Sequence, residues 1–316
     1  MTNARDAETS RMGVVAVLVG ASLFATSGTI IKHLTQDYGV PPLTVATVRI
    51  VLAGSILFAS LAVLDRKLLY IKLRDVPFFL LYGFVAVTLT QACWVYAISL
   101  IDVGVATALN YTAPAWTVLL AWPILQEGID RRKIFALLLT VAGVALSMRL
   151  FDVPFISLNA VGLLWALASG LGYGLYSIFG RRAMRSYTFW TSVTYTFAAG
   201  ALFLLLTQST ADLRAAVSRP ETALWLCILA LVPTLSGYVF YTFGLQLLKA
   251  SDAAILATIE PVIAVLIAAS FLSERLSWPQ ILGGGLIIAG VITLQVRWWP
   301  MLAVRRLCPR GAGTKN

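Results

Sequence analysis

Between Met12 and Val296 the chain repeats one pattern, a long apolar run closed by a short charged or Pro/Gly-rich break. Reading the runs between breaks predicts ten helical spans, at 12–32, 43–64, 76–98, 103–125, 133–149, 159–179, 189–206, 222–245, 250–272 and 279–296. A helix crosses bilayer hydrocarbon with roughly 20 apolar residues at 1.5 Å each. The first run, Met12 to Ile31, carries no charge. It is longer than the apolar core of a signal peptide and lacks an A-x-A site before the next polar loop, so it reads as a membrane helix. The connections are short, and the longest, Thr207 to Glu221, is only a loop. The expectation is an all-α integral membrane protein of ten transmembrane helices.

Composition agrees. Hydrophobic residues make up 59% of the 316 and charged residues 12%, against about 25% charged in a soluble domain. Mean hydropathy is +0.85. The net charge of +10 reports topology. With the N-terminus in the cytoplasm, 18 of the 24 basic residues fall inside, in the two tails, at 66–74, 131–133 and 181–185, and at Lys249. Five lie outside: Lys32, Arg149, Arg214, Arg219 and Arg275. Arg49 alone sits within a span. Both termini are therefore expected in the cytoplasm, with the basic loops against anionic headgroups. Scattered over loops, these charges do not suggest nucleic-acid binding. The three cysteines and the single histidine, His33, form neither a disulfide framework nor a metal pattern.

Shifted by 147 residues, the chain matches itself. Pro114 falls on Pro261, Glu127 on Glu274, Ala106 on Ala253, Leu109 on Leu256, and Ala142-Gly143-Val144 on Ala289-Gly290-Val291. Each half then holds five helices, an odd number, so the second half must enter the membrane from the opposite face. Inverted repeats of this kind are built around a midplane substrate site. The predicted organisation is a tail at 1–11, a first repeat at 12–149, a second at 159–296 and a basic tail at 297–316.

The stretches "APAWTVLLAWPILQEGI" in the fourth span and "IEPVIAVLIAASFLSERL" in the ninth carry a resemblance. With the five-plus-five layout they resemble the drug/metabolite transporter superfamily, in particular its EamA-type branch, over residues 12–296. The resemblance implies a secondary transporter of the bacterial inner membrane, with relatives that export amino acids and other small metabolites or move nucleotide-sugars and phosphorylated sugars. One departure is plain: the second half carries Glu260-Pro261 where the first has Ala113-Pro114.

Glu260 is the residue that needs explaining. Pro261 and Pro114 lack an N–H and free the carbonyls of Ala257 and Asn110 in mid-span. Steps of three and four from Glu260 meet Ala253, Ala257, Ala264 and Ala268, a small-residue stripe that lets helices approach closely. Glu260 should therefore face the bundle. A carboxylate there costs about 2.5–3.5 kcal/mol on insertion scales. Arg49, roughly 6 Å above the midplane by helix rise, is the one other deep ionisable group. Three readings stand open: a fixed Arg49–Glu260 pair or a bond from Glu260 to freed backbone; contact with a zwitterion, its ammonium on Glu260 and its carboxylate on Arg49; and proton carriage by Glu260. No cofactor is expected beyond that possible proton coupling.

Around this pair the expected substrate contacts are Asn110, Gln91, Tyr111, Tyr238, Thr258 and Trp165, each weighed against a role as packing or helix-to-helix glue. Thr234 and Ser236 have the same standing. Glu127 and Glu274 read as interfacial structural groups, with Arg131 one turn from Glu127. "GLGYG" at 170–174 lies mid-span with no strand before it, so it reads as a packing face rather than a nucleotide loop; "GGG" at 283–285 reads likewise.

A membrane-embedded enzyme would need a reactive cluster. One histidine and one midplane carboxylate do not supply it, so the expectation is not an enzyme. A channel fits the repeat less well. Phosphate-bearing substrates would want more cavity cations than Arg49. The reading is a transporter of a small metabolite, an amino acid or similar zwitterion, with lipid as its surroundings. Nucleotide-sugar, lipid-linked or drug transport is the alternative, and the oligomeric state is open.

Overall fold

The computed structural model describes residues 2–152, 159–271 and 277–295. Glu274, Arg275 and the basic tail with Trp298, Trp299 and Cys308 lie outside them. Among the described residues the regular elements are helices: α1 (Thr2–Gln36), α2 (Pro42–Leu64), α3 (Val76–Gly83), α4 (Thr90–Ile98), α5 (Val103–Asn110), α6 (Ala113–Leu125), α7 (Arg131–Ser147) and α8 (Ala160–Ala183). They continue with α9 (Phe189–Leu205), α10 (Thr210–Ser218), α11 (Pro220–Leu229), α12 (Gly237–Leu247), α13 (Ala250–Ala257), α14 (Glu260–Phe271) and α15 (Trp278–Gln295). Helix α1 starts well before the predicted span, because no glycine or proline interrupts Thr2–Arg11.

Among the described residues seven segments are long and apolar enough to cross a membrane: Glu8–Gln36, Pro42–Leu64, Leu73–Ile98, Ala160–Ala183, Pro220–Leu247, Ala250–Ile267 and Trp278–Gln295. Helices α9 and α10 meet at a bend of 114°. The chain is a multi-pass membrane protein. The segment predicted at 103–125 is divided into α5 and α6, and α7 spans 17 residues.

Local chemistry sets the boundaries. Asp102 caps α5 through Gly104 N, Asp130 caps α7 through Lys133 N, and Asn159 caps α8 through Val161 N. Two spans contain π-helical turns, Phe84–Leu89 between α3 and α4 and Ala230–Ser236 between α11 and α12. In the second, Pro233 cannot bond the carbonyl of Leu229, and Thr234 Oγ1 donates to it instead at 2.7 Å. Ser236 Oγ does the same for Leu231 at 2.9 Å. These two hydroxyls bond their own backbone.

Glycines let the helices meet backbone to backbone. A Cβ on Gly143 of α7 would lie 2.6 Å from the Gly283 carbonyl of α15. Gly170 and Gly174 of α8 bear on α5 and α6, where a Cβ would meet Leu109 O at 2.8 Å and Ala113 O at 2.9 Å. "GLGYG" is thus a close-packing face, as are Gly143 and Gly283. Gly285 has open space beside it. The largest buried cluster holds Phe24, Phe79, Tyr82, Tyr176 and Tyr241, with Tyr238 packed against it.

Candidate functional site

The site forms where two helices break. Between α5 and α6, Tyr111 N and Thr112 N bond back to Thr107 O and Leu109 O, and Pro114 follows. Between α13 and α14, Thr258 N and Ile259 N bond to Ile255 O and Leu256 O, and Pro261 follows. Neither proline can continue the ladder, so the helical hydrogen bonding is interrupted at each. Glu260 is the first residue of α14, where N–H groups lack intrahelical partners and favour negative charge.

Glu260 is half-buried and lines a cavity of about 20 Å³ with Tyr111, Pro114, Thr117, Tyr173, Ser177, Tyr241 and Thr258. That space holds about one water. The Tyr111 hydroxyl approaches the carboxyl closely enough to interact with it. Arg49 and Tyr238 lie within electrostatic range of each other and of Glu260. Arg49 makes no direct ion pair with Glu260, and its buried Nε has no hydrogen-bond partner. Neither Arg49 nor Tyr238 is among the residues lining the small cavity, so the two opposite charges sense each other across a gap.

The remaining predicted residues divide. Tyr238 stacks edge-on to Phe24, Tyr176 and Phe197 at 4.9, 5.1 and 5.0 Å. Thr258 is buried on the cavity wall, with its hydroxyl donating to Ile255 O. Asn110 accepts from Ser169 Oγ at 2.8 Å, which ties the break to α8. Gln91 is half-buried on α4 and is not in the cavity lining. Trp165 lies on an exposed face against Tyr96, also outside the lining. Tyr173, Ser177 and Tyr241 also line the cavity and are not among the contacts expected from the sequence. The one-turn spacing of Tyr173 and Ser177 on α8 was the available signal. Ser177 Oγ and Tyr241 OH share a 2.7 Å bond across the cavity.

A larger cavity, about 640 Å³, opens between α1, α11 and α14, lined by Gly28, Thr29, His33, Asp37, Trp225 and Ala264 among others. Ala264 is one turn along α14 from Glu260, a rise of roughly 6 Å along the helix axis. Among the described residues no three His, Cys, Asp or Glu side chains gather as metal ligands would.

The sequence profile of the EamA-like transporter family matches residues 11–149 and again 160–295. The chain belongs to the EamA-like transporter family. An uncharacterized transporter of Archaeoglobus fulgidus is 28% identical over 285 residues, covering 89% of this chain and 96% of that one. The inner membrane transporter YicL of Salmonella typhimurium, also uncharacterized, is 24% identical over 293 residues, covering 91% and 96%. A solved crystal structure at 17% identity superposes with a TM-score of 0.71 over 91% of this chain and 97% of its own; at that identity it speaks for the fold alone.

Proposed function

We propose that this chain is a secondary transporter of the inner membrane that moves a small zwitterion, an amino acid or close analogue, by alternating access. Glu260 takes the ammonium group and Arg49 the carboxylate, and the tyrosines wall the rest. The observation that carries this reading is the pair of unlike charges, Glu260 on a helix break and Arg49 with an unpartnered Nε, within electrostatic range of each other without closing into an ion pair. A buried polar atom left open like the Arg49 Nε is costly unless a ligand completes it. A purely structural pair would be expected to close.

The ten-span inverted repeat belongs to the same proposal, and the element boundaries support it. A shift of 147 carries α5, Val103–Asn110, onto α13, Ala250–Ala257, and the start of α6 at Ala113 onto the start of α14 at Glu260. It carries the start of α7 at Arg131 onto that of α15 at Trp278. The first π turn falls on 231–236, within the second. The same shift exchanges two close approaches, Gly143 against Gly283 and Gly290 against Ala136, as a two-fold relation between the halves requires. The placement of both termini in the cytoplasm rests on the basic loops. Export as the direction rests on the family resemblance alone.

Transport in proteoliposomes tests the reading. The folded protein should exchange labelled amino acids, and Glu260→Gln should stop the exchange without unfolding it. Full activity in that variant would remove Glu260 from the site.

A further inference from the structure

The two halves are not in the same state, and the difference locates a gate. Helix α6 of the first half is closed onto α8 of the second: Thr117 Oγ1 bonds Gly174 O at 3.2 Å, and Trp116 Cβ would touch a Cβ on Gly174 at 3.0 Å. Shifted by 147, Thr117 becomes Ala264 of α14 and Gly174 becomes Ser27 of α1. There the 640 Å³ vestibule opens instead, and a Cβ on the adjacent Gly28 would meet nothing within 4 Å among the described residues. Access therefore runs from the α1–α14 side down to within a turn of Glu260, and the α6–α8 side is shut.

A buried ionic knot holds the shut side. Helix α6 ends on Gln126 in the left-handed region, φ 59°, and Glu127 N returns to Ala121 O at 3.1 Å. Glutamine has no special tolerance of that region. The turn delivers Glu127, which is buried, to the start of α13 in the other half. Its carboxylate accepts from Ala250 N at 2.7 Å, Ser251 N at 3.1 Å and Ser251 Oγ at 2.5 Å. Lys249, the N-cap residue of α13, offers no side-chain acceptor, so Glu127 caps this helix from across the interface. Lys133 of α7 is also buried; it donates to Ser251 Oγ at 2.6 Å and pairs with Asp252 at 3.2 Å.

We infer that Glu127, Lys133, Ser251 and Asp252 form the gate that closes the basic end of the protein, and that this knot must open for the site to face that end. Rocking the halves apart there separates α13 from α6 and α7, and no motion that does so spares these bonds. The inference rests on the alternating-access reading above and adds the residues that set its equilibrium.

Thiol labelling tests it on the full-length protein with Cys93, Cys227 and Cys308 replaced. Thr29→Cys reports the open vestibule, and Ala254→Cys, on the wall of the small cavity just inside the knot, reports the shut side. A membrane-impermeant cationic methanethiosulfonate should label the first readily and leave the second unlabelled from the basic face. Adding Glu127→Gln removes the charge from three hydrogen bonds; labelling at Ala254→Cys should rise about tenfold or more and that at Thr29→Cys should fall. Unchanged rates at both reporters in a folded variant would overturn the gate. Should Glu127→Gln not fold, Glu127→Cys and Ser251→Cys joined by a short bifunctional methanethiosulfonate should lock the opposite state, with Thr29→Cys open and Ala254→Cys shut; failure to join, or an exposed Ala254→Cys after joining, would overturn it too. Labelling needs no substrate. A failed gate beside working amino-acid exchange condemns only the gate, and the converse condemns only the substrate reading.

Discussion

Replacing Gly143 by alanine should loosen the crossing of α7 and α15, one helix from each half, and the same change at Gly285 should not. The added methyl at 143 would sit 2.6 Å from Gly283 O, 2.7 Å from Ile287 Cγ1 and 2.9 Å from Ile287 N. Two of those atoms are backbone and cannot swing aside, so the helices must part by several tenths of an ångström along a seam held by van der Waals contact. Overpacking of this kind costs about 1–3 kcal/mol. At Gly285 nothing lies within 4 Å, and alanine gains up to about 1 kcal/mol of helix propensity. In a chain of 316 residues, 1 kcal/mol moves Tm by roughly 2 °C. Tryptophan fluorescence of the detergent-solubilised protein on heating should then show Gly143→Ala about 2–6 °C below the parent, and Gly285→Ala at or slightly above it. If the two variants shift together, close backbone approach is not what holds this seam.

Four further outcomes follow from the site. Arg49→Lys keeps the charge but loses the planar fork, and should cut the maximal rate of amino-acid exchange at least tenfold with the fold intact by size-exclusion profile. Tyr111→Phe removes the hydroxyl beside Glu260 and should weaken substrate affinity several-fold, read as a rise in KM. Ser169→Ala breaks the link from α8 to Asn110 and should lower stability by about 1 kcal/mol in thermal unfolding, a smaller loss than Gly170→Ala, where a Cβ would strike the carbonyl of Leu109. Trp165→Ala, on the exposed face away from the cavity, should leave amino-acid affinity within twofold of the parent.

Much of this was legible in the sequence because a membrane leaves backbone few options. The apolar runs place the helices, and Pro114 and Pro261 place the breaks, since an imide nitrogen has no hydrogen to give. Glu260 announced itself as a charge where charge is costly. The partner of Glu127 was not legible. Spacing pointed to Arg131, one helical turn on, but Gln126 turns left-handed and delivers Glu127 to α13 and Lys133. Nothing about a glutamine foretells that turn. The roles of Thr234 and Ser236 depended on π turns that bring each hydroxyl over the carbonyl five residues back, a geometry with no periodic signature. Trp165 was drawn toward the site by depth along its helix, while its direction around the helix axis put it against Tyr96.

The central claim is that Glu260 and Arg49 together bind a zwitterion that the protein then carries across the membrane. Counterflow in proteoliposomes tests it most directly: vesicles loaded with an unlabelled amino acid are offered the labelled one outside, for the parent and for Glu260→Gln. The account predicts transient accumulation of label in the parent and none in the variant. Accumulation at equal rates in both, or in neither across the amino acids offered, would contradict it.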